Sequence, residues 1–208
     1  MKQREKVINV LGRLSNTIQG VVDFAWPMVL ISVVVLVSFR VCYLIKNKEK
    51  LVLYKELLGL SFIIYILCLF QVVTFQDNVS WSTNNFIPFR EMFRYNIGSR
   101  LFVKNVLGNA LMFLPYGFFI SFYLKNKKPW LTLILTVIAS FSIELVQMMI
   151  GRVFDIDDIL LNLLGGYLGY FVSYWLGRFY EKLPSVLKSD LCLNVISGII
   201  LIGVISLL

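Results

Sequence analysis

The chain has 208 residues, 58% of them apolar and 15% charged, with a formal net charge of +8. Apolar runs long enough to cross a bilayer exclude an ordinary soluble domain, and the alternating pattern of a β-barrel is absent. No histidine occurs anywhere, which removes histidine triads, histidine general bases and histidine metal sites from consideration.

The basic excess does not call for nucleic acid, because membrane proteins gather Lys and Arg at the cytoplasmic ends of their helices. Cys42, Cys68 and Cys192 are far apart, each in or beside an apolar run. They read as small buried hydrophobes, neither a disulfide frame nor a thiolate metal site.

Residues 1–24 mix Lys2, Arg4, Lys6 and Arg13 with Val7, Ile8, Val10, Leu11, Leu14 and Ile18 at roughly helical spacing. That pattern predicts an amphipathic helix on a membrane surface, retained rather than cleaved. A first span follows over Trp26–Ile45, with Pro27 suited to a helix start. Lys46, Lys48, Glu49 and Lys50 form the turn after it, and a second span covers about Leu57–Val73. The long polar segment Gln76–Arg100 carries Asn84, Asn85, Pro88, Phe89, Arg90, Glu91 and Arg94. Its length predicts a structured, functional loop.

A third span, Leu101–Leu124, opens with Lys104, Asn105 and Asn109, the two asparagines on one face. Pro115 within it predicts a kink and a freed carbonyl. The fourth span runs Trp130–Ile150, the fifth from about Asp157 to Leu176, and a sixth covers Leu191–Leu208. The predicted class is an all-α polytopic membrane bundle of about six transmembrane helices with an N-terminal amphipathic helix. Helix parity puts the 76–104 loop and the Arg152–Asp158 hinge on one side. The short-loop Lys clusters make that side the outside.

The polar residues concentrate around that hinge. Glu144 and Gln147 share a helix face, Arg152 is followed within six residues by Asp155, Asp157 and Asp158, and Asn162 lies one turn on. A carboxylate within a membrane helix costs about 3 kcal/mol or more at the centre and by default marks function. Glu144 falls roughly 9 Å below its helix end at about 1.5 Å per residue. Asn109 and Asn162 sit at a similar depth, and Arg90, Arg94 and Arg152 lie above them. This predicts a funnel for an anionic lipid head group, with arginine forks at the mouth. Glu144, Asp155 and Asp158 are the candidate acid–base groups. Arg90, Arg94, Asn105, Asn109, Gln147, Arg152, Asp157 and Asn162 are the candidate binding groups. No cofactor is evident, although the clustered aspartates would suit a divalent cation.

Plainer readings stand beside these. The three aspartates equally suit capping of the fifth helix. Arg152 could neutralise them, and Asn105 or Asn162 could be interhelical glue. Gly165 and Gly169 form a small-xxx-small pair typical of close helix packing. Glu144 resists a structural reading best, having no obvious paired cation.

Several blocks occur in order across the chain: Asn85-Phe-Ile-Pro-Phe89 and Asn109-Ala-Leu-Met-Phe-Leu-Pro-Tyr-Gly117, then Glu144-Leu-Val-Gln147, Arg152-Val-Phe-Asp-Ile-Asp-Asp158 and Asn162-Leu-Leu-Gly-Gly166 with Gly169. Together they resemble the VanZ-like family of bacterial membrane proteins. The resemblance implies a four-helix core over residues 51–176, with residues 1–50 and 177–208 as additions. It also implies a multi-pass protein of the bacterial cell membrane with a cell-envelope role, since the family's namesake raises teicoplanin resistance with little effect on vancomycin. The partners so implied are membrane lipids, a lipid-linked cell-wall precursor or the lipoglycopeptide itself. Two functional classes remain. One is a binder of the head group or precursor. The other is an enzyme hydrolysing or transferring a lipid phosphate head group, with Glu144 as acid or base and water as the attacker.

Overall fold

The computed structural model describes residues 2–74, 84–96, 98–125 and 128–207. Most of those residues are helical: α1 (Lys2–Asn47), α2 (Leu53–Thr74), α3 (Arg100–Phe102), α4 (Gly108–Met112), α5 (Leu114–Leu124), α6 (Pro129–Met149), α7 (Ile156–Lys182) and α8 (Asp190–Leu207). A π-helical turn, Val103–Leu107, joins α3 to α4, and a 3-10 turn, Ser185–Lys188, precedes α8. Among the described residues, five segments are long and apolar enough to cross a membrane: Ala25–Asn47, Leu53–Thr74, Asn105–Leu124, Pro129–Met149 and Ile156–Lys182. The all-helical membrane architecture expected from the sequence is therefore present. The sixth predicted span is α8, whose described apolar stretch, Asp190–Gly203, falls below the length of the other five.

Three boundaries differ from expectation. Pro27 does not start a helix, because α1 continues through it. Ala25, Met28 and Leu30 nearby favour helix, and a membrane helix tolerates the single missing N–H. The amphipathic face expected on residues 1–24 rests on side chains mostly outside those described. In the third span the break falls at Phe113 rather than at Pro115. Pro115 instead occupies the first turn of α5, where its missing N–H is not needed. The Phe113 N–H bonds to the Leu111 carbonyl, four residues before the proline. The fifth span, α7, runs on to Lys182, beyond the predicted end.

The chain divides into two compact units, one of residues 1–24 and 69–175, the other of residues 25–68 and 176–208. In the second unit Arg40 forms a bidentate pair with Glu56, both contacts at 2.9 Å. The Tyr54 N–H donates to Asn194 at 3.1 Å, which ties α2 to α8.

The first unit is built around α7. An added Cβ at Gly117 would fall 2.0 Å from the Gly166 carbonyl oxygen, and one at Gly169 2.1 Å from that of Leu114. A Cβ at Gly165 would meet the Ala110 carbonyl at 2.0 Å. The α4–α5 backbone therefore lies directly on the α7 backbone, as the small-xxx-small pattern predicts. On another side, Gly166 admits Thr136 of α6. The buried face of α6 is polar along its whole length: Thr132, Thr136, Ser140, Glu144 and Gln147. Its apolar residues face outward, as expected where the surrounding solvent is lipid. The polar stripe ends at the hinge between α6 and α7.

Candidate functional site: a buried carboxyl cluster at the α6–α7 hinge

Met149 ends α6, and Gly151, with φ of +84°, turns the chain toward α7. Returning through the hinge, the Arg152 N–H bonds to the Gln147 carbonyl at 2.9 Å. The long loop then meets the hinge along a parallel β-bridge between Asn85 and Asp155. The Asn85 N–H donates to the Phe154 carbonyl at 2.8 Å, and the Ile156 N–H to the Asn85 carbonyl at 3.1 Å. Asn84 adds a third tie, its side-chain oxygen accepting from the Phe154 N–H at 3.0 Å. The two polar segments expected on one side are thus directly paired.

Asp155 caps α7. Its Oδ1 accepts from the Asp157 N–H at 2.9 Å and from the Asn85 amide at 2.8 Å. Burial pushes the Asp155 carboxyl above the ordinary aspartate range. The bonds from Asp157 and Asn85 oppose that rise, and the charges of Asp157 and Glu91 add to it.

Asp157, 1% exposed, accepts three backbone N–H groups of the loop: Phe89 at 2.5 Å, Glu91 at 2.7 Å and Met92 at 3.1 Å. Its carboxylate fixes the loop, with Phe89 held at φ of +68°. Both of its oxygens are occupied, so the binding role expected of Asp157 becomes an internal one.

Glu144, 1% exposed, is the centre of the cluster. Its Oε2 accepts from the Asp155 N–H at 3.0 Å. Gln147, with its amide oriented to satisfy both neighbours, donates to Glu144 Oε1 at 3.0 Å and accepts from Arg152 Nη1 at 2.6 Å. Arg152 Nη1 also reaches the Val73 carbonyl at 3.0 Å. Asp158 bonds to the Asn109 amide through its Oδ1. Glu144 interacts electrostatically with Asp155 and Arg152, and Asp158 with Glu144, Asp155 and Arg152. Two of these carboxyl groups, Glu144 and Asp158, therefore lie in the field of the Arg152 guanidinium.

The remaining candidates lie apart from this cluster. Arg94 is exposed and paired with Glu91 at 3.1 Å, and Arg90 is exposed. The funnel of converging arginines is therefore corrected: only Arg152 enters the interior. Asn105, in the π turn, donates to the Tyr95 hydroxyl at 3.0 Å, and Tyr95 in turn reaches Glu91 at 3.4 Å. Asn162 donates to Ser140 Oγ at 2.9 Å, one helical turn below the Glu144–Asp158 level. Its depth thus differs from that of Asn109, against the single layer expected from sequence. The Asn162 Oδ1, fully buried, has no hydrogen-bond partner, an arrangement that costs about 1–3 kcal/mol when uncompensated.

Sequence reasoning missed Ser140, Asn85 as a hinge partner, and Tyr95. Ser140 was signalled by its place in the Thr132, Thr136, Ser140, Glu144 series at helical spacing. Tyr95 had no such signal. Among the described residues no group of three or more His, Cys, Asp or Glu side chains could hold a metal ion. Of the aspartates that suggested a divalent cation, Asp157 spends both oxygens on loop N–H groups, while Asp155 and Asp158 each use Oδ1, on Asn85 with the Asp157 N–H and on Asn109 respectively.

Compared with known families, residues 62–177 match the one described as VanZ/LLP1, which is more than half of the chain. The chain belongs to the VanZ-like family. No curated protein and no solved structure matches it. The matched segment contains the whole cluster, from Asn85 to Asn162. With five apolar helices of spanning length, the chain is a membrane protein of that family.

Proposed function

We propose that this VanZ-like protein acts on the bacterial cell envelope by binding a lipid head group or lipid-linked cell-wall precursor at the α6–α7 hinge, lowering susceptibility to teicoplanin. The observation that carries this reading is Glu144, 1% exposed within a candidate membrane span and bonded to Asp155 and Gln147. A buried carboxyl group of this kind is a poor structural element by itself and a common functional one. The exposed Arg90 and Arg94 stand on a loop fixed beside the cluster through Asp157, where they can take an anionic phosphate. The site opens on the outer face of the cell membrane, where the glycopeptide and its targets meet.

A second reading is enzymatic. It is favoured by the proximity of Glu144 and Asp158, two carboxyl groups able to divide acid and base roles in head-group hydrolysis or transfer by water.

The test is susceptibility of a sensitive Gram-positive host carrying the wild-type gene or an empty vector. The reading predicts a teicoplanin inhibitory concentration raised about four-fold or more, corresponding to at least about 0.8 kcal/mol of protection, with vancomycin little changed. An unchanged teicoplanin value contradicts it.

A further inference from the structure

We propose that the inner part of this site binds a primary ammonium group on the head group of its lipid ligand, held between Asp158 and the orphaned carbonyl of Asn162. This rests on the lipid-binding reading above and names the chemistry that the site selects. Two observations on α7 point to a hydrogen-bond donor. Asp158 uses Oδ1 to accept from Asn109, and no described residue donates to its second oxygen. Asn162, 1% exposed, uses its amide nitrogen on Ser140 and leaves Oδ1 without a partner.

The two side chains are four residues apart, so they share a face with Cβ atoms about 5–6 Å apart. Helical side chains lean toward the helix N-terminus, which turns the Asn162 carboxamide toward Asp158. Charge-assisted N–H···O bonds are about 2.7–2.9 Å long, so one ammonium nitrogen bridges two acceptors that lie within about 5.5 Å of each other. Among the described residues, Arg152 interacts with Glu144 and Asp158, and its Nη1 is already bonded to Gln147 and Val73. The two oxygens left without a donor therefore call for a donor from outside the chain.

Native mass spectrometry of the full-length detergent-solubilised protein tests this with three lipids of identical acyl chains. Phosphatidylethanolamine carries the ammonium, phosphatidylethanol lacks it, and phosphatidylcholine keeps the charge without an N–H. The wild type should retain phosphatidylethanolamine about ten-fold over each of the others, and Asp158→Asn should bring all three within about two-fold. Equal retention by the wild type overturns the ammonium assignment and leaves lipid binding intact. A preference that survives Asp158→Asn also overturns it, since the amine is then read elsewhere. Retention of none of the lipids contradicts both this assignment and the lipid reading beneath it.

Discussion

Asp157 and Asp155 stand two residues apart, yet they carry different tasks. Asp157 gathers the N–H groups of Phe89, Glu91 and Met92 and so decides where the loop lies. Replacing it with Ala leaves three donors without an acceptor. The loop should open locally by about 2 kcal/mol, so those amides should exchange hydrogen roughly thirty-fold faster while α6 stays protected. Exchange followed by mass spectrometry checks this. Asp155 caps α7 from a half-buried position that raises its carboxyl above the ordinary value of 3.8. A carboxyl group raised on folding contributes stability that is full below the unfolded value and lost as pH rises through the folded one. Thermal midpoints of wild type and Asp155→Asn, measured from about pH 4 to pH 7, should therefore diverge, with wild type losing ground as pH rises. Parallel curves would show that Asp155 ionises as it does in water. The acidic triplet was visible in the sequence, but its division of labour was not. Capping by Asp155 follows from helix-start rules, whereas the capture of loop amides by Asp157 depends on a long-range pairing that spacing does not encode.

The helices themselves follow from apolar runs and their breakers, because in lipid a spanning backbone has few alternatives to helix. Pro27 and Pro115 show the limit of that logic, since local sequence alone does not say whether a proline is absorbed, starts a helix or kinks one. The glycine contacts were better marked, by Gly165, Gly166 and Gly169 on α7. Their partner Gly117 lies where α5 crosses them. Gly117→Ala places a Cβ 2.0 Å from a backbone carbonyl, which no rotamer change relieves. It should destabilise the solubilised protein by about 1–3 kcal/mol. Gly177→Ala, on the same α7 but with no atom within 4 Å of the new Cβ, should instead be neutral or stabilising by up to about 1 kcal/mol. Thermal unfolding of both variants separates the contact effect from helix propensity. Equal shifts would contradict the close α5–α7 approach.

At the scale of the chain, family, fold class and most of the cluster were legible because each rests on residue type and order. The polar blocks of the VanZ-like family fall at helix ends, and the fold brings Asn85, Asn109, Glu144, Gln147, Arg152, Asp155 and Asp158 into one connected set. The expected convergence of arginines failed. Residue type showed that Arg90 and Arg94 could grip an anion, but not that the loop would hold them outward. Ser140 as a hydrogen-bond partner and the unpartnered oxygen of Asn162 were not legible either, because a helix face specifies neighbours without specifying hydrogen bonds.

The proposed role of Glu144 as the functional centre of this set is tested by comparing wild type with Glu144→Gln in the sensitive host at matched membrane levels. Glutamine keeps the shape and can still accept from the Asp155 N–H, but it cannot ionise. The variant should lose most of the teicoplanin protection, back to within about two-fold of the empty vector. Full protection by the variant, alongside a protective wild type, would contradict it.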